Sequence, residues 1–307
     1  MTADSQASAN SGQWTIRKVL EWTTAHLKKH GSATPRLDAE VLLAHARKCH
    51  RIQLYTHYDE ELTEEVRASM RDLVQRRARQ EPVAYLVGER EFFSLPFSVN
   101  ADVLIPRPDS ETLIVEAISC LKPTPADDTA SVASRAWRIV DLCTGSGCLA
   151  ITLARQLPTA QLIATDLSDK ALAVARQNLE RHSLADRVEL RQGSLLKPLE
   201  NEPLFDLIVS NPPYIPTADI ETLEEDVRRH EPRLALDGGA DGMDLLRPLI
   251  TEGAKHLLPG GWMLLEFTSE QAPALMNYAH AQPDWSLVQV VKDLSQLPRV
   301  LKLQKRS

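Results

Sequence analysis

From Arg138 onward, short apolar segments alternate with stretches of helical periodicity, and this alternation restricts the fold more than any other feature of the chain. RIVDL (138–142) is followed by a glycine-rich turn and a helical stretch over 149–157, and QLIATD (161–166) is followed by a second helical stretch over 168–182. Further apolar segments begin near residues 188, 205, 262, 285 and 300. Strands that alternate with helices predict an α/β fold with a mostly parallel sheet.

The chain before this region has a different periodicity. Over residues 14–82 the apolar side chains recur with a helical period, as at Ile16, Val19 and Leu20, which predicts a group of helices. Residues 1–13 lack the basic stretch and apolar core of a secretory signal. We therefore expect a disordered tail over 1–13, a helical domain over 14–82, a β-hairpin linker over 83–105 and an α/β domain over 106–307.

The composition excludes several classes of protein. With 43% hydrophobic and 25% charged residues over 307 positions, it is typical of a globular chain, and no apolar run approaches the roughly 20 residues of a membrane helix. Residues 101–307 carry 21 basic and 29 acidic side chains, which argues against binding along a nucleic-acid backbone. The four cysteines form no C-x-x-C pair, so we expect no metal site, no disulfide framework and a cytoplasmic protein.

The turn DLCTGSG (141–147) has features of a nucleotide-binding loop. Gly145 and Gly147 allow a tight turn at the start of a helix, whose N-terminus carries partial positive charge. Asp166 ends the next predicted strand, where an acidic residue commonly binds ribose hydroxyls. The complete G-x-G-x-x-G pattern and a phosphate-binding loop are both missing. This turn alone leaves S-adenosylmethionine, a dinucleotide and a plain turn open.

The tetrapeptide Asn211-Pro212-Pro213-Tyr214 directly follows the fourth predicted strand. Its prolines give a rigid turn without N–H donors, so the Asn211 side-chain oxygen and the Pro212 carbonyl can both face outward as acceptors. Two acceptors suit a planar NH2 group, because they orient its nitrogen toward a methyl donor and stabilise the positive charge that develops there. We expect Tyr214 to pack on the face of the flat target group. Together with the glycine-rich turn, the tetrapeptide favours methyl transfer to an amino or amide nitrogen.

In these residues the chain resembles class I methyltransferases with a [DN]-P-P-[YF] motif, and more narrowly the N5-glutamine methyltransferases of the HemK/PrmC type. The motifs that carry the resemblance are PRLDAEVLLAH (35–45), RRARQEPVAYLVGEREFF (76–93), VLIPRPDSETLIVEA (103–117), DLCTGSGCLAI (141–151), SNPPYI (210–215), HEPRLALDGGADGMD (230–244) and KDLSQLPRV (292–300). The resemblance implies a Rossmann-like class I methyltransferase sheet, seven-stranded and mostly parallel, with a small N-terminal helical domain joined to it by a β-hairpin.

The resemblance also implies a cofactor and the residues that bind it. The cofactor would be S-adenosylmethionine, with Asp166 on its ribose and Leu196 beside its adenine. The remaining cofactor-binding residues would be Cys143, Thr144, Gly145, Ser146, Gly147 and Asn211. Leu195 and Leu196 stand where this family often has Asp and an aromatic residue, and Phe267-Thr268 stands where it favours Ile-Gly.

For the substrate, the resemblance implies the glutamine of the Gly-Gly-Gln loop in class 1 peptide chain release factors. The N-terminal helices would dock the release factor, with neither a membrane nor a nucleic acid as partner. Asn211, Pro212 and Tyr214 would be the catalytic residues. The substrate-binding residues would be Asn211, Pro212, Pro213 and Tyr214, with Arg107 and Glu231 at the border of the site.

Three other activities remain open. Sister enzymes that methylate a glutamine of a large-subunit ribosomal protein typically carry Pro-Arg-Ser-Pro where this chain has Pro106-Arg107-Pro108-Asp109, which favours the release-factor branch. Nucleic-acid amino-methyltransferases share the tetrapeptide but usually add a basic surface or a target-recognition segment. A protein that binds S-adenosylmethionine without chemistry would not need an intact tetrapeptide.

Overall fold

A computed structural model describes residues 14–121 and 136–307. The disordered tail expected over 1–13 lies outside the described residues. The chain divides into two compact units, one extending to Gly88 and including Glu225–His230, and the other formed by Glu89–Glu224 and Glu231–Ser307.

The helices among the described residues are α1 (Ile16–Lys29), α2 (Pro35–Arg47), α3 (Arg51–Thr56), α4 (Glu64–Arg77), α5 (Val83–Val87), α6 (Glu111–Cys120), α7 (Cys148–Gln156), α8 (Asp169–Arg181), α9 (Glu225–His230), α10 (Leu246–Glu252) and α11 (Ala272–His280). The strands are β1 (Glu89–Phe92), β2 (Leu95–Ser98), β3 (Arg138–Leu142), β4 (Gln161–Asp166), β5 (Val188–Gln192), β6 (Phe205–Ser210), β7 (Leu257–Glu266), β8 (Trp285–Lys292) and β9 (Pro298–Lys305).

The first unit is helical and contains α1 to α5 and α9. Ile16 and Leu20, which share the apolar stripe predicted from the sequence, are fully buried. The Thr15 side chain caps α1 by accepting a hydrogen bond from a backbone N–H of its first turn. A buried ion pair joins α4 to α2, with Arg77 Nε 2.8 Å from Asp38 Oδ2. The helical period of the sequence therefore also determines which side chains form the core of this unit.

The segment predicted as a hairpin linker over 83–105 is only partly a hairpin. Val83–Val87 forms the short helix α5, which ends at Gly88 with a φ of 75°. The hairpin itself comprises β1 and β2, joined through Phe93 and Ser94, both of which have positive φ as in a tight type I′ turn. Five residues are too few for a period to distinguish a helix from a strand, which is why the sequence pattern was misleading here.

The second unit contains a seven-stranded sheet in the order β5-β4-β3-β6-β7-β9-β8. Neighbouring strands are parallel except at β9, which runs antiparallel to both β7 and β8. Strand β6 is buried along its whole length, and consecutive residues of β3, Ile139 and Val140, belong to apolar clusters on opposite faces. The predicted α/β class with a seven-stranded, mostly parallel sheet is confirmed.

The order of the strands reverses beside β3. From β3 the chain continues to β4 and β5 on one side, and it then returns to place β6 and β7 on the other side. In open parallel sheets, ligands bind outside the carboxyl ends of the strands at such a switch point. The glycine-rich turn follows β3 and Asn211 follows β6, so both motifs lie at this point.

Candidate active site

A cavity of about 510 Å³ opens at the carboxyl ends of β3 to β6, and its size is typical of a small-molecule site. The residues singled out in the sequence that line it are Cys143, Thr144, Gly145, Ser146, Asp166, Asn211, Pro213 and Arg107. Those that lie outside its wall are Gly147, Leu196, Pro212, Tyr214 and Glu231. The structure thus brings the glycine-rich turn and the tetrapeptide to one cavity, although the two motifs are far apart in the chain.

The glycine-rich turn is held by Asp141, the penultimate residue of β3. Asp141 Oδ2 accepts hydrogen bonds from Thr144 Oγ1 at 2.6 Å and from the Ala150 backbone N–H at 3.1 Å. Oδ1 has no hydrogen-bond partner among the described residues. Burial raises the pKa of the Asp141 carboxyl to about 7. This carboxyl, which sequence analysis did not single out, fixes the turn to the first residues of α7.

Gly147 caps α7 in the left-handed region, with a φ of 81°. This positive φ disfavours residues with a side chain, and a Cβ there would also lie 3.3 Å from the Ile151 side chain. At Gly145, in contrast, a Cβ would meet no atom within 4 Å, because this residue faces the open cavity. A flat ligand can therefore approach the backbone of the turn closely at Gly145.

Asp166 joins the end of β4 to the same turn. Its Oδ2 accepts a hydrogen bond from the Gly145 backbone N–H at 2.9 Å, and its Oδ1 accepts one from the Ser168 backbone N–H at 2.9 Å. Burial raises the pKa of this carboxyl. Each carboxylate oxygen can accept a further hydrogen bond, so Asp166 can still bind hydroxyl groups in the cavity that it lines.

Leu196, expected to face the cavity, is instead buried in the apolar cluster that also contains Val140 and Leu142. Its neighbour Leu195 lines the cavity together with Leu167, which directly follows Asp166. Leu195 has a φ of 48°, and this left-handed conformation turns the next side chain into the core. Leu196 therefore does not line the cavity, whereas Leu167 and Leu195 both contribute apolar surface to its wall.

The Asn211 side chain is oriented by a hydrogen bond to a distant segment. Its Nδ2 donates to Ser110 Oγ at 3.1 Å, and Ser110 ends a short 3-10 turn formed by Pro108–Ser110. Because Nδ2 has this partner, Oδ1 is the atom of the Asn211 amide that remains available as an acceptor. Asn211 lines the cavity, so this acceptor belongs to the wall of the site.

Tyr214 differs from its expected position on the face of a target group. Its hydroxyl donates a hydrogen bond to Glu266 Oε1 at 3.0 Å, and its ring packs against the apolar cluster on one face of the sheet. Burial, together with the nearby Glu266 carboxyl, raises the pKa of Tyr214 far above its usual value. Tyr214 thus anchors the end of the tetrapeptide to the protein interior and does not form part of the cavity wall.

A glycine-containing loop packs directly on the backbone of Tyr214. A Cβ at Gly242 would lie 2.2 Å from the Tyr214 carbonyl oxygen, and one at Gly238 would lie 2.7 Å from Tyr214 Cα. The same carbonyl accepts a hydrogen bond from Gln271 Nε2 at 2.9 Å. The contact of Gln271 was not predicted, because its sequence indicates no more than a position in a helix. The closely spaced glycines, in contrast, could have indicated a tight contact.

Arg107 and Glu231 form an ion pair at the border of the cavity. Arg107 Nη2 lies 2.5 Å from Glu231 Oε1, and Glu231 Oε2 accepts a hydrogen bond from the Ile105 backbone N–H at 3.1 Å. Arg107 reaches the cavity while the Glu231 carboxyl is buried behind it. A buried carboxylate with two such partners fixes the direction of the arginine.

The fold is shared with known methyltransferases. A solved human methyltransferase 10 domain containing protein superposes with a TM-score of 0.51 at 18% identity, over 71% of this chain and 90% of that one. Together, the strand order, the glycine-rich turn and the cavity at the switch point define a class I methyltransferase.

Comparison of the sequence with known families is more specific. Residues 18–88 match the PrmC N-terminal domain and residues 129–238 match the methyltransferase small domain. The release factor glutamine methyltransferase of Rhodopirellula baltica is 41% identical over 97% of this chain and 99% of its own length. That of Geobacter sulfurreducens is 45% identical over 86% of this chain and 88% of its own length. The chain belongs to the release factor glutamine methyltransferase family.

Among residues 14–121 and 136–307, no helix is both long and apolar enough to cross a membrane. Within the same ranges, no group of three or more His, Cys, Asp or Glu side chains could hold a metal ion.

Proposed function

We propose that this protein transfers a methyl group from S-adenosylmethionine to the side-chain amide nitrogen (N5) of the glutamine in the Gly-Gly-Gln motif of class 1 peptide chain release factors. The observation that carries the proposal is the hydrogen bond from Asn211 Nδ2 to Ser110 Oγ, which leaves Oδ1 as an acceptor at the cavity. Membership of the release factor glutamine methyltransferase family supports the choice of substrate. Release factors act in the cytoplasm, so we expect this protein to act there as well.

The cavity residues fit S-adenosylmethionine. Gly145 leaves open space where any side chain would intrude, which suits a ligand on the backbone of the turn from Cys143 to Gly147. Asp166 retains lone pairs for the two ribose hydroxyls. Leu167 and Leu195 supply apolar surface for the adenine. When bound, the cofactor supplies an electrophilic methyl group on a sulfonium sulfur.

The tetrapeptide would hold and polarise the target amide. An amide nitrogen is a poor nucleophile because its lone pair is delocalised into the carbonyl group. Asn211 Oδ1, in the cavity wall, would accept one hydrogen of the target NH2 group, direct its lone pair and stabilise the positive charge that develops on it. The Pro212 carbonyl, expected from the sequence to accept the other hydrogen, belongs to a residue outside that wall. Neither Pro212 nor Pro213 has an N–H group that would compete for these acceptors. The proton leaves the nitrogen last, to solvent or a nearby acceptor, so these residues need not include a strong base.

The N-terminal helical domain, over 14–82, would dock the release factor through surfaces other than its reacting glutamine. Three large side chains of the first unit, Trp22, Ile52 and Tyr55, are about half exposed or more. Exposed aromatic and aliphatic side chains of this kind are common anchors in protein interfaces. The acidic composition of residues 101–307 argues for a protein partner over a nucleic acid.

Methyl transfer from labelled S-adenosylmethionine to a purified class 1 release factor tests the proposal. The control substrate is the same release factor with its Gly-Gly-Gln glutamine replaced by alanine, and mass mapping locates the methyl group. We expect label on that glutamine and none on the control. Label on a large-subunit ribosomal protein or on RNA, with none on the release factor, would transfer the assignment to one of the alternative activities.

A further inference from the structure

Asn178 of α8 connects the glycine-rich turn to the β1–β2 hairpin through a single side chain. The residue is fully buried. Its Nδ2 donates hydrogen bonds to the Ser146 carbonyl oxygen at 2.8 Å and to the Ser98 carbonyl oxygen at 3.0 Å. Its Oδ1 accepts a hydrogen bond from the Ser98 backbone N–H at 2.7 Å. Ser146 belongs to the turn and Ser98 ends β2, so both donors and the acceptor of this amide are used to hold backbone groups.

The hydrogen bond to Ser146 fixes a peptide group at a point where the backbone is free to rotate. The peptide that joins Ser146 to Gly147 precedes a glycine with a φ of 81°, and glycine adopts positive and negative φ about equally well. The carbonyl oxygen of this peptide accepts from Asn178, and its N–H donates to the Thr144 carbonyl oxygen at 2.9 Å. The direction of the peptide is therefore set by these two partners and not by steric exclusion.

Helix α8 also packs closely on the turn near its middle. A Cβ at Gly147 would lie 3.4 Å from Ala175 Cβ and 3.5 Å from Ala175 Cα. Residues three positions apart share a face of a helix, so Ala175 and Asn178 approach the turn from the same side. The small side chain of Ala175 allows the close approach, and Asn178 supplies the hydrogen bond.

The same helix holds the hairpin at a second point, one helical turn further on. His182 Nε2 donates a hydrogen bond to the Pro96 carbonyl oxygen at 2.9 Å, and its ring lies beside that of Phe97, with the ring centroids 5.1 Å apart. The chain continues from β2 into residues 102–107, most of which line the cavity. Helix α8 therefore holds both the glycine-rich turn and the hairpin that leads into another part of the cavity wall.

From these contacts, and on the basis of the function proposed above, we infer that Asn178 is a positioning residue for the methyl donor, which orders the glycine-rich turn for binding and couples it to the hairpin. A turn that is already ordered loses less conformational entropy when its ligand binds, so Asn178 raises the affinity for the cofactor. Coupling of this kind is reciprocal. A cofactor that stabilises the turn therefore also stabilises the hydrogen bonds between the hairpin and the same amide.

Two substitutions of similar size remove the amide in different ways. In Asn178→Asp, an oxygen replaces Nδ2 and faces two carbonyl oxygens, whereas Asn178→Leu leaves three buried backbone groups without this partner. Leu179→Ala is the matched control on the same helix. Leu179 belongs to the apolar cluster beside α8, so its truncation lowers the free energy of unfolding but retains the amide that holds the turn.

Calorimetry on the full-length protein measures the Kd for S-adenosylhomocysteine, which is the cofactor without its methyl group. We expect both Asn178 variants to raise this Kd by about tenfold or more, while kcat at saturating S-adenosylmethionine stays within about threefold of the wild type. In Leu179→Ala the Kd should stay within about threefold of the wild type although the Tm falls. A wild-type Kd in both Asn178 variants, or an equal rise in Leu179→Ala, would overturn the inference.

Hydrogen exchange of the Gly147 backbone N–H tests the ordering of the turn in the ligand-free protein. This N–H does not bind Asn178, so its exchange reports the direction of the peptide whose other side Asn178 holds. We expect about tenfold faster exchange or more in Asn178→Leu than in the wild type or in Leu179→Ala. Unchanged exchange would overturn the inference even if release factors are methylated. Faster exchange in a protein that binds no S-adenosylmethionine would uphold the role of Asn178 in the turn and reject the proposed function.

The coupling to the hairpin is tested in the wild-type protein, so this measurement does not depend on the folding of any variant. Ser98 is not part of the cavity wall, and its backbone N–H donates to Asn178. We expect saturating S-adenosylhomocysteine to slow the exchange of this N–H by about threefold or more. An unchanged rate with the ligand bound would overturn the coupling.

Discussion

The Ser210 hydroxyl donates a hydrogen bond to the Leu142 carbonyl oxygen at 2.7 Å, and it thereby joins the last residues of the two central strands β6 and β3. The glycine-rich turn begins directly after Leu142, and the tetrapeptide begins directly after Ser210. Both residues are fully buried. The separation between the glycine-rich turn and Asn211 is therefore set by the buried centre of the sheet.

Replacing Asn211 with Ala should affect turnover much more than cofactor binding. The substitution would remove the acceptor that we propose for the target NH2 group, and we expect kcat to fall by about 100-fold or more. Calorimetry should find the Kd for S-adenosylmethionine within about threefold of the wild type. Asn277→Ala, on the exposed side of α11, is the control. Equal losses of turnover and cofactor affinity would contradict the role assigned to Asn211.

Asp166→Ala should have the opposite effect. Hydrogen bonds from ribose hydroxyls to this carboxylate would be lost, together with its hold on the Gly145 backbone. We expect the Kd for the cofactor to rise by about 10- to 100-fold, while kcat at saturating cofactor changes little. The exposed Asp284→Ala serves as the control for loss of one carboxylate. A normal cofactor Kd in Asp166→Ala would show that the ribose is bound elsewhere.

Two glycine substitutions distinguish the effect of backbone strain from the effect of a steric clash with the tetrapeptide. Gly242 and Gly260 have φ values of 73° and 75°, so alanine is strained at both, by about 1 kcal/mol. Only at Gly242 would the new Cβ meet the Tyr214 carbonyl oxygen, whereas at Gly260 nothing lies within 4 Å. Urea unfolding should show a larger loss of stability for Gly242→Ala, and its kcat should fall while that of Gly260→Ala is retained. Equal behaviour of the two variants would mean that the loop does not support the tetrapeptide.

The buried Asp141 should make stability depend on pH. Its pKa is raised by burial from the ordinary value of 3.8 to about 7, so the folded state binds this proton more tightly than the unfolded state does. Its contribution to stability is complete below pH 3.8 and is lost as the pH rises toward 7. Relative to the wild type, Asp141→Asn should therefore gain stability from pH 5 to pH 8, by about 1 kcal/mol or more.

Urea unfolding at the two pH values measures this difference directly. The asparagine oxygen can still accept from Thr144 and Ala150, and its NH2 group replaces Oδ1, which has no partner among the described residues. Asp186→Asn, at an exposed position, is the control for the loss of one negative charge. The account of Asp141 is wrong if the stability difference between variant and wild type is the same at pH 5 and pH 8.

The parts of the fold that could be predicted are those with a local signal. Apolar runs marked the strands of the sheet, and glycines and prolines marked the turns after β3 and β6. The helix Val83–Val87 was missed because it is a single short turn bounded by Pro82 and Gly88. Leu195 has a left-handed backbone that a leucine seldom adopts, so the sequence could not indicate that Leu196 faces the core.

The network around the tetrapeptide had no local signal. Asn211 and Ser110 are 101 residues apart, and Tyr214 and Glu266 are 52 residues apart. The sequence alone is equally compatible with each of these side chains lying on an exposed surface, at a helix cap or at the end of a strand. Only the order of the strands, which brings β6 beside β7 and close to the start of α6, places them within hydrogen-bonding distance.

The position of β9 has a consequence for how the sheet is completed. Because β9 lies between β7 and β8, the C-terminal strand occupies an interior position of the sheet and is not an edge strand. A chain interrupted before Pro298 would leave the edge of β7 open and β8 without a neighbour. Unpaired strand edges invite pairing with other chains. We expect chains truncated in this way to aggregate, whereas in the sheet formed by the described residues the two edge strands are β5 and β8.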